Sequence, residues 1–303
     1  MENLNQDTGF GEKPSEMAGR MVNKDGSFNI KRIGIGIRER ASGYQSMLTM
    51  PRWRFLGIIF LFYFLINCFF TLLYWLAGPA GLAGVEKMNF WGRLEELFFF
   101  STQTFTTVGY GRVNPVGEVT NWIAAIESLI GFLSFAIAAG LLYGRFSRPK
   151  SFIRFSENLV YAKYREGHAL MFRLACYKDD HLLTNAEIKV NARMVDQNKG
   201  YQFFNLNLER SHVDSLVLNW TVVHPIDEHS PFYKVSQSEL AKLQPEISAY
   251  LSGFDEVYSS TVVARGSYAW KDFRFGYKFL PMYFSRNMRT ELDLSKLNHI
   301  EQE

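Results

Sequence analysis

Residues 106 to 111 read Thr-Thr-Val-Gly-Tyr-Gly, and this hexapeptide is the most informative stretch of the chain. Its two glycines can adopt positive φ angles at little steric cost, so that successive carbonyl groups can point in one direction. A row of such oxygens, extended by the hydroxyl of the second threonine, can replace the hydration shell of a potassium ion. The sequence therefore predicts a selectivity filter formed by Thr106, Thr107, Val108, Gly109, Tyr110 and Gly111. The potassium ion would be bound by Thr107, Val108, Gly109 and Tyr110.

The residues before this filter form a short, largely apolar stretch from Asn89 to Thr104. It is too short to cross a membrane but long enough for a buried half-helix. Backbone that enters a membrane without spanning it must be buried in protein or line a water-filled path, and a re-entrant pore loop meets that requirement. One loop supplies too few oxygens to surround an ion. Four copies around a closed rotation axis supply complete rings, so the sequence predicts a homotetramer.

Two long apolar runs flank the loop, one from Phe55 to Ala77 and one from Trp122 to Tyr143. Each has about the 20 residues that a helix needs to cross a bilayer. A pair of buried helices in a soluble protein is the alternative, but soluble helices normally carry a polar face and these runs carry almost none. A Gly-Tyr-Gly tripeptide alone often marks an ordinary turn. Its position between two spans favours the filter interpretation.

Basic residues accumulate before the first run and after the second. Cytoplasmic loops are enriched in Lys and Arg, so both termini are expected in the cytoplasm and the protein in the inner or plasma membrane. These basic residues are Lys31, Arg32, Arg38, Arg40, Arg52, Arg54, Arg145, Arg148, Lys150 and Arg154.

Ahead of the first run, Ile37, Ala41, Tyr44 and Leu48 recur at helical spacing until Pro51 interrupts the pattern. This predicts an amphipathic helix on the cytoplasmic membrane surface; a loop packed on the soluble part is the alternative. The expected organisation is a cytoplasmic N-terminal segment (residues 1–36), an interfacial helix (37–50), a two-span pore domain (51–146) and a cytoplasmic domain (147–303).

The cytoplasmic domain reads as β structure, most clearly from Ala186 to Met194, where apolar and polar residues alternate as in a half-buried strand. Further short strands separated by turn residues suggest a β-sandwich. They are expected at 169–176, 216–223, 247–251, 261–264 and 273–279. A short helix is expected to begin near Ser236, with Glu239 completing a capping box.

Several function classes are disfavoured by composition. The 33 Lys and Arg against 30 Asp and Glu leave a net charge of +3, too small to indicate a nucleic-acid partner. Two cysteines, Cys68 and Cys176, give no disulfide framework. His224, Asp227 and His229 are spaced like metal ligands, but the proline between the first two favours a structural turn. We find no nucleophile and base pairing, phosphate-binding glycine loop or convincing metal cluster, so an enzyme is not expected.

Five segments outside the filter resemble those of one family. They are Lys24-Asp25-Gly26, Arg52-Trp53-Arg54, Arg148-Pro149-Lys150, His224-Pro225-Ile226-Asp227-Glu228-His229-Ser230-Pro231 and Ala264-Arg265-Gly266-Ser267-Tyr268. From Asn23 to about Met282 the chain resembles the prokaryotic inward-rectifier potassium channels. The resemblance implies a membrane α-helical pore domain with two transmembrane helices, a pore helix and a re-entrant filter loop, followed by a cytoplasmic immunoglobulin-like β-sandwich. It also implies potassium as the permeant ion and no cofactor.

The resemblance further suggests an inner pore lined by Phe135, Ala139 and Tyr143. Tyr143 matches the family's helix crossing and is the candidate constriction; a tyrosine anchored at the lipid interface is the alternative. Phe135 stands where strong rectifiers carry an acidic residue. Glu256 matches an acidic position of the family's cytoplasmic pore, but Asn185 replaces another. We therefore expect weak rectification, with weak block by Mg²⁺ or polyamines, and barium is a further expected blocker.

Two other sets of residues are candidates for support and regulation. Glu127 is an ionisable residue inside a span, which is a functional candidate by default, and its expected height suggests a hydrogen bond to the pore loop. A cationic cluster at the cytoplasmic interface would attract anionic lipids, which matches the phosphoinositide positions of the family; simple topology bias is the alternative. The cluster comprises Arg52, Trp53, Arg54, Arg148 and Lys150.

No additional spans with spaced arginines precede the pore, so gating is expected from the cytoplasmic side rather than from voltage sensing. The main rival to a conducting channel is a membrane-anchored sensor or binding protein whose pore loop no longer conducts. The intact filter sequence argues against this rival.

Overall fold

The computed structural model describes residues 20, 22–31, 33–34, 36, 42–87, 89–196, 200–286 and 288–303. The chain divides into two compact units. The helical unit runs from Ile33 to Arg148, and the β unit combines the described residues before Ile33 with Pro149 to Glu303. Residues 37–41 of the predicted interfacial helix lie outside the described residues.

Among its described residues, the helical unit contains four α-helices: α1 (Gly43–Thr49), α2 (Arg52–Ala77), α3 (Phe90–Phe105) and α4 (Glu118–Phe146). The Ser42 side chain caps α1 by accepting a hydrogen bond from the backbone of Gln45. Pro51 separates α1 from α2, because a proline is tolerated at a helix start and not in a helix interior. Within the described residues, the predicted interfacial helix is therefore limited to α1.

Helices α2 and α4 have 26 and 29 residues and are long and apolar enough to cross a membrane. Both extend beyond the predicted apolar runs, because the polar residues at their ends continue the helix. The shorter α3 packs between them around a common core. That core comprises Phe70, Tyr74, Leu82, Leu97, Phe100 and Val113. Most apolar side chains on the spans face outward from the single chain, as expected for surfaces covered by lipid or by other copies.

A short antiparallel pair, β1 (Leu82–Ala83) and β2 (Asn114–Pro115), joins the loop before α3 to the segment after the filter. Gly84 has a φ of +83°, and a Cβ atom there would lie 1.8 Å from the carbonyl oxygen of Arg112. Only glycine allows this close approach. The two segments are therefore held together backbone against backbone.

The β unit is a sandwich of two five-stranded sheets. The first has the order β11-β10-β6-β7, with β8 also pairing β6. Its strands are β6 (Leu183–Asp196), β7 (Gly200–Asn205), β8 (His212–Leu216), β10 (Glu246–Asp255) and β11 (Ser260–Tyr268). The second has the order β12-β4-β5-β3, with β9 on β5. Its strands are β3 (Ile153–Phe155), β4 (Leu159–Tyr164), β5 (Gly167–Cys176), β9 (Asn219–Pro225) and β12 (Phe273–Phe275).

The β unit also contains a short α-helix, two short 3-10 helices (Trp270–Asp272 and Leu294–Asn298) and two small antiparallel strand pairs. Helix α5 (Gln237–Leu243) begins with the predicted capping box of Ser236 and Glu239, which is confirmed. The pairs are β13 (Tyr277–Phe279) with β16 (Ile300–Gln302), and β14 (Tyr283–Arg286) with β15 (Arg289–Leu292).

Strand β6 confirms the predicted alternation, because the apolar side chains from Ala186 to Met194 are buried in the core between the sheets. The predicted single strand over 273–279 is wrong. Gly276, with a φ of +69°, breaks it into β12 and β13, because a strand cannot continue through that backbone conformation.

A turn near the N-terminus is anchored on β11, the outer strand of the first sheet. Val22 and Phe28 form a bridge, and the Ser267 hydroxyl donates to the carbonyl of Val22. The Asp272 carboxylate lies 2.9 Å from Lys24 Nζ. A Cβ on Gly26 would lie 2.8 Å from the Arg265 carbonyl oxygen, so a larger residue does not fit. These contacts fix residues 22–28 on the β unit.

Candidate functional site

The filter segment begins where α3 ends. Thr107, Gly109 and Gly111 have φ angles of +60°, +56° and +83°, so every second residue adopts the left-handed region. Such alternation lets successive carbonyls point to one side, which an ordinary strand does not do. The backbone N–H groups of Val108 and Gly109 both donate to the carbonyl of Gln103, at 2.9 and 3.3 Å. The segment is therefore folded back onto the end of the pore helix.

Sequence reasoning anticipated positive φ at the two glycines but not at Thr107. A β-branched residue in the left-handed region costs roughly 1–2 kcal/mol, so surrounding structure must hold it there. The Thr107 N–H donates to the carbonyl of Thr104 at 3.1 Å. The signal in the sequence was the adjacent threonine pair directly after a helix.

Glu127 on α4 is fully buried and joins three helices. Its Oε2 accepts a hydrogen bond from the Tyr74 hydroxyl of α2 at 2.6 Å, and its Oε1 accepts one from the Ser101 hydroxyl of α3 at 2.5 Å. Burying a carboxyl group is costly unless it is hydrogen-bonded, and both oxygens have donors here. Glu127 thus contacts the pore helix, four residues before that helix ends at Phe105.

Sequence reasoning singled out Glu127 but missed its partners Tyr74 and Ser101. Both are polar groups inside helical apolar runs, together with Asn67, which is also fully buried. The Asn67 side-chain oxygen lies 3.1 Å from the Ser101 hydroxyl. Polar residues within otherwise apolar helices were the available signal.

Gly131 brings α4 against the end of the pore helix. A Cβ atom at this position would lie 2.0 Å from the carbonyl oxygen of Phe105. The small residue is therefore required for the approach of the two helices, and it sets the distance between α4 and the start of the filter.

The inner-pore candidates Phe135, Ala139 and Tyr143 are spaced by four residues and lie on one face of α4. All three are exposed in the single chain. The structure therefore places all three side chains on one exposed surface of α4.

The lipid candidates Arg52, Trp53, Arg54 and Arg148 are exposed on the helical unit, and Lys150 is exposed on the β unit. Trp53 is 85% exposed, which is unusual for a tryptophan and indicates a surface that is covered by lipid or by another protein.

From the sequence, Arg145 is only one of the basic residues that predict cytoplasmic termini. Its guanidinium donates to the carbonyl oxygens of Met47 and Met50, at 2.5 and 2.7 Å, and lies 4.5 Å from the ring centre of Phe55. It therefore connects the last turn of α4 to the C-terminal end of α1.

The remaining candidates lie in the β unit. Glu256 is exposed in the turn between β10 and β11. The amide Oδ1 of Asn185 accepts a hydrogen bond from Nε2 of His212 at 2.7 Å. Within the residues that the structure describes, no group of three His, Cys, Asp or Glu side chains is placed to hold a metal ion.

His224 has a structural role in its turn. Its Nδ1 lies 2.6 Å from the carbonyl oxygen of Asn207, and its Nε2 lies 2.8 Å from the Ser230 hydroxyl. Burial lowers the pKa of His224, so the ring is held neutral, with Nδ1 donating and Nε2 accepting.

Comparison with known proteins connects this geometry to a class of proteins. Residues 153–302 match the family described as inward rectifier potassium channel C-terminal domain, and residues 58–148 match the family described as ion channel. The chain is 33% identical over 297 residues to the inward rectifier potassium channel Kirbac3.1 of Paramagnetospirillum magnetotacticum, covering 96% of this chain and 99% of that protein. It is 28% identical to the human ATP-sensitive inward rectifier potassium channel 14, covering 91% of this chain and 68% of the human protein. These relatives are ion channels and not enzymes.

Proposed function

The chain belongs to the inward-rectifier potassium channel family, and from that premise we propose that it forms a homotetrameric pore that conducts potassium passively across the cell membrane. The observation that carries this proposal is the alternation of positive φ at Thr107, Gly109 and Gly111 at the end of a helix that does not span the membrane. It orients carbonyl oxygens as ligands for a dehydrated cation, with potassium bound by Thr107 to Tyr110.

The single chain is incomplete as a pore, which supports assembly. Val108 and Tyr110 are 52% and 80% exposed, although non-helical backbone at membrane depth must be buried in protein or line a water-filled cavity. One chain also offers one row of carbonyls, and closed four-fold rings need three more copies. In this arrangement Glu127 supports the filter through Ser101 on the pore helix.

Gating from the cytoplasmic side is assigned to the exposed face of α4, with Tyr143 as the constriction and Phe135 and Ala139 lining the path above it. Tyrosine at the lipid interface remains the alternative role of Tyr143. Because Phe135 carries no charge, it offers no site for Mg²⁺ or polyamines. Glu256 is the acidic residue proposed for the cytoplasmic path, and Asn185 stands where the family carries another acidic residue. Rectification is therefore weak in this proposal. Steep voltage-dependent block by spermine would contradict it.

Anionic lipids are the proposed regulators. Arg52, Arg54 and Arg148 are exposed beside the apolar spans, where cations attract anionic headgroups, and Trp53 suits the interface. Lys150 belongs to the same proposed set. The test compares flux in neutral and anionic liposomes for the wild type and for Arg52→Gln with Arg54→Gln. A lipid response that survives the double substitution would assign these arginines to topology alone.

Ion flux in liposomes tests the proposed function itself. Purified protein should take up potassium and rubidium but not sodium, with barium as blocker and Gly109→Asp as the inactive control. A non-conducting sensor with a pore-like fold is the alternative function. Absence of flux in every lipid mixture, with tetramers intact, would favour that sensor.

A further inference from the structure

A buried carboxylate lies in the N-terminal half of α3, the pore helix. The Glu96 side chain on α3 is only 5% exposed. Its Oε2 accepts hydrogen bonds from the backbone N–H groups of Glu86 and Lys87, at 2.9 and 3.2 Å. Its Oε1 lies 3.0 Å from Nη1 of Arg112. Both carboxylate oxygens therefore have a hydrogen-bond donor.

These donors keep the group charged. Burial works against ionisation of Glu96, but the N–H groups of Lys87 and Glu86 and the guanidinium of Arg112 hold the pKa of this carboxyl below its usual range. Glu96 therefore carries a full negative charge at neutral pH, beside the positive charge of Arg112.

Arg112 directly follows Gly111, the last residue of the filter. Its backbone is fixed against Gly84, and its Nη1 also donates to the carbonyl of Gly84 at 3.2 Å. The side chain remains 52% exposed. A small cavity of about 250 Å³ is lined by Glu96 and Arg112 together with the filter residue Tyr110. The guanidinium of Arg112 thus lies on the residue directly after the outer end of the filter, where solvent reaches it.

We propose that Glu96 neutralises Arg112 at the outer mouth and so keeps the entrance to the filter attractive to cations. This inference rests on the proposed function, since it concerns the same pore. The pair occurs once in each copy, so a tetramer without Glu96 presents four uncompensated guanidinium groups around the outer entrance. Such a ring lowers the local concentration of potassium and slows its entry. Glu96 is a positioning and charge-balancing residue that does not itself contact the ion.

The test measures unitary inward currents in planar bilayers, with potassium on the outer side, for the wild type, Glu96→Gln, Arg112→Gln and the double variant. Glu96→Gln should reduce the unitary current about threefold at ~0.1 M salt, the effect of four screened charges about one Debye length from the axis. Near ~1 M salt, where the Debye length is about 3 Å, the current should return toward wild type.

The two other variants separate charge from bracing. Arg112→Gln should conduct better than wild type, because the negative charge of Glu96 is then uncompensated, and the double variant should match wild type. If the pair only braces the loop, Arg112→Gln and the double variant will be as impaired as Glu96→Gln, and added salt will not restore them. That result would overturn the inference. Glu95→Gln is the matched control, because the exposed Glu95 pairs with Lys87 and not with Arg112, and its current should change little.

Two further outcomes remain interpretable. If Glu96→Gln does not assemble, comparing Arg112→Gln with the double variant still decides, because removing Glu96 in that background should lower the current to the wild-type value. An equal current in these two variants would overturn the inference. No current in the wild type would instead contradict the proposed function. That failure differs from failure of the inference about Glu96, which requires a conducting wild type.

Discussion

The guanidinium of Arg145 lies 2.7 Å from the carbonyl oxygen of Met50, across 95 residues of sequence. The same group donates to Met47, so the carbonyls at the end of α1 are capped by the last turn of α4. Helix ends leave four carbonyls without intrahelical partners, and this contact satisfies two backbone oxygens near that end. Any displacement of α4 at Tyr143 is therefore coupled to α1 through Arg145, two positions further along α4.

Replacing Arg145 with Gln should release α1 from α4. The shorter side chain reaches neither carbonyl, and each lost hydrogen bond to a charged group is worth about 1.5–3 kcal/mol. A spin label at the exposed Ser46, in a background with both cysteines replaced, should gain mobility. Arg148→Gln, an exposed arginine of the same segment, should leave the label unchanged. A label equally ordered in both variants would contradict the coupling.

Removing one donor of Glu127 should weaken the support of the filter. Tyr74→Phe leaves Oε2 without its hydroxyl donor, at a cost of about 1.5–3 kcal/mol. Glu127→Gln should in addition reduce the potassium-to-sodium permeability ratio with tetramers intact. Ser128→Ala is the control, because its hydroxyl bonds only within α4. Unchanged selectivity in Glu127→Gln would remove the proposed role.

Gly131→Ala should prevent α4 from approaching the pore helix. The new Cβ would overlap the Phe105 carbonyl, a backbone atom that cannot rotate away, so overpacking costs about 3 kcal/mol or more. The melting midpoint of the tetramer in detergent should fall sharply. Gly140→Ala adds the same methyl group where the chain has no atom within 4 Å, and should melt like wild type. Equal midpoints would show that the helices do not meet at Gly131.

Acidification should destabilise the β unit through His224. Its folded pKa is lowered by burial, so below the usual value of about 6.5 the unfolded chain takes up a proton that the folded protein does not. The stabilising contribution is complete above that value and is lost as the pH falls below it. Melting temperatures between pH 7.5 and 5 should decline less steeply in His224→Gln. His229→Gln, an exposed histidine of the same turn, should keep the wild-type slope.

Gly26→Ala should detach the N-terminal turn from β11. The added Cβ would press on the Arg265 carbonyl and also strain a φ of +79°. Hydrogen exchange at residues 22–28 should become faster. Gly34→Ala introduces comparable strain at a φ of +84° with no neighbouring atom, and should not change exchange in that turn. Protection retained in Gly26→Ala would mean that the turn is held by other contacts.

Features with a local cause could be predicted from the residues alone. The length and polarity of the spans, the alternation in β6 and the capping box at Ser236 follow from periodicity or from residues within one turn. Positive φ angles at the filter glycines could be predicted because backbone freedom is a property of glycine itself. The break at Gly276 was also local, but the run of aromatic residues around it obscured the end of the strand.

Contacts between groups that are distant in sequence could not be predicted, because they depend on how the elements pack. Tyr74 and Glu127 are 53 residues apart and Glu96 and Arg112 are 16 apart, and in each pair a charged or polar group finds its partner on another segment. A pattern of 3.6 or 2 residues identifies the face of an element but not what packs against it. The partner depends on how helices cross and loops close. The buried carboxylates of Glu127 and Glu96 require the donors that this packing supplies, since a charge without a donor could not remain buried.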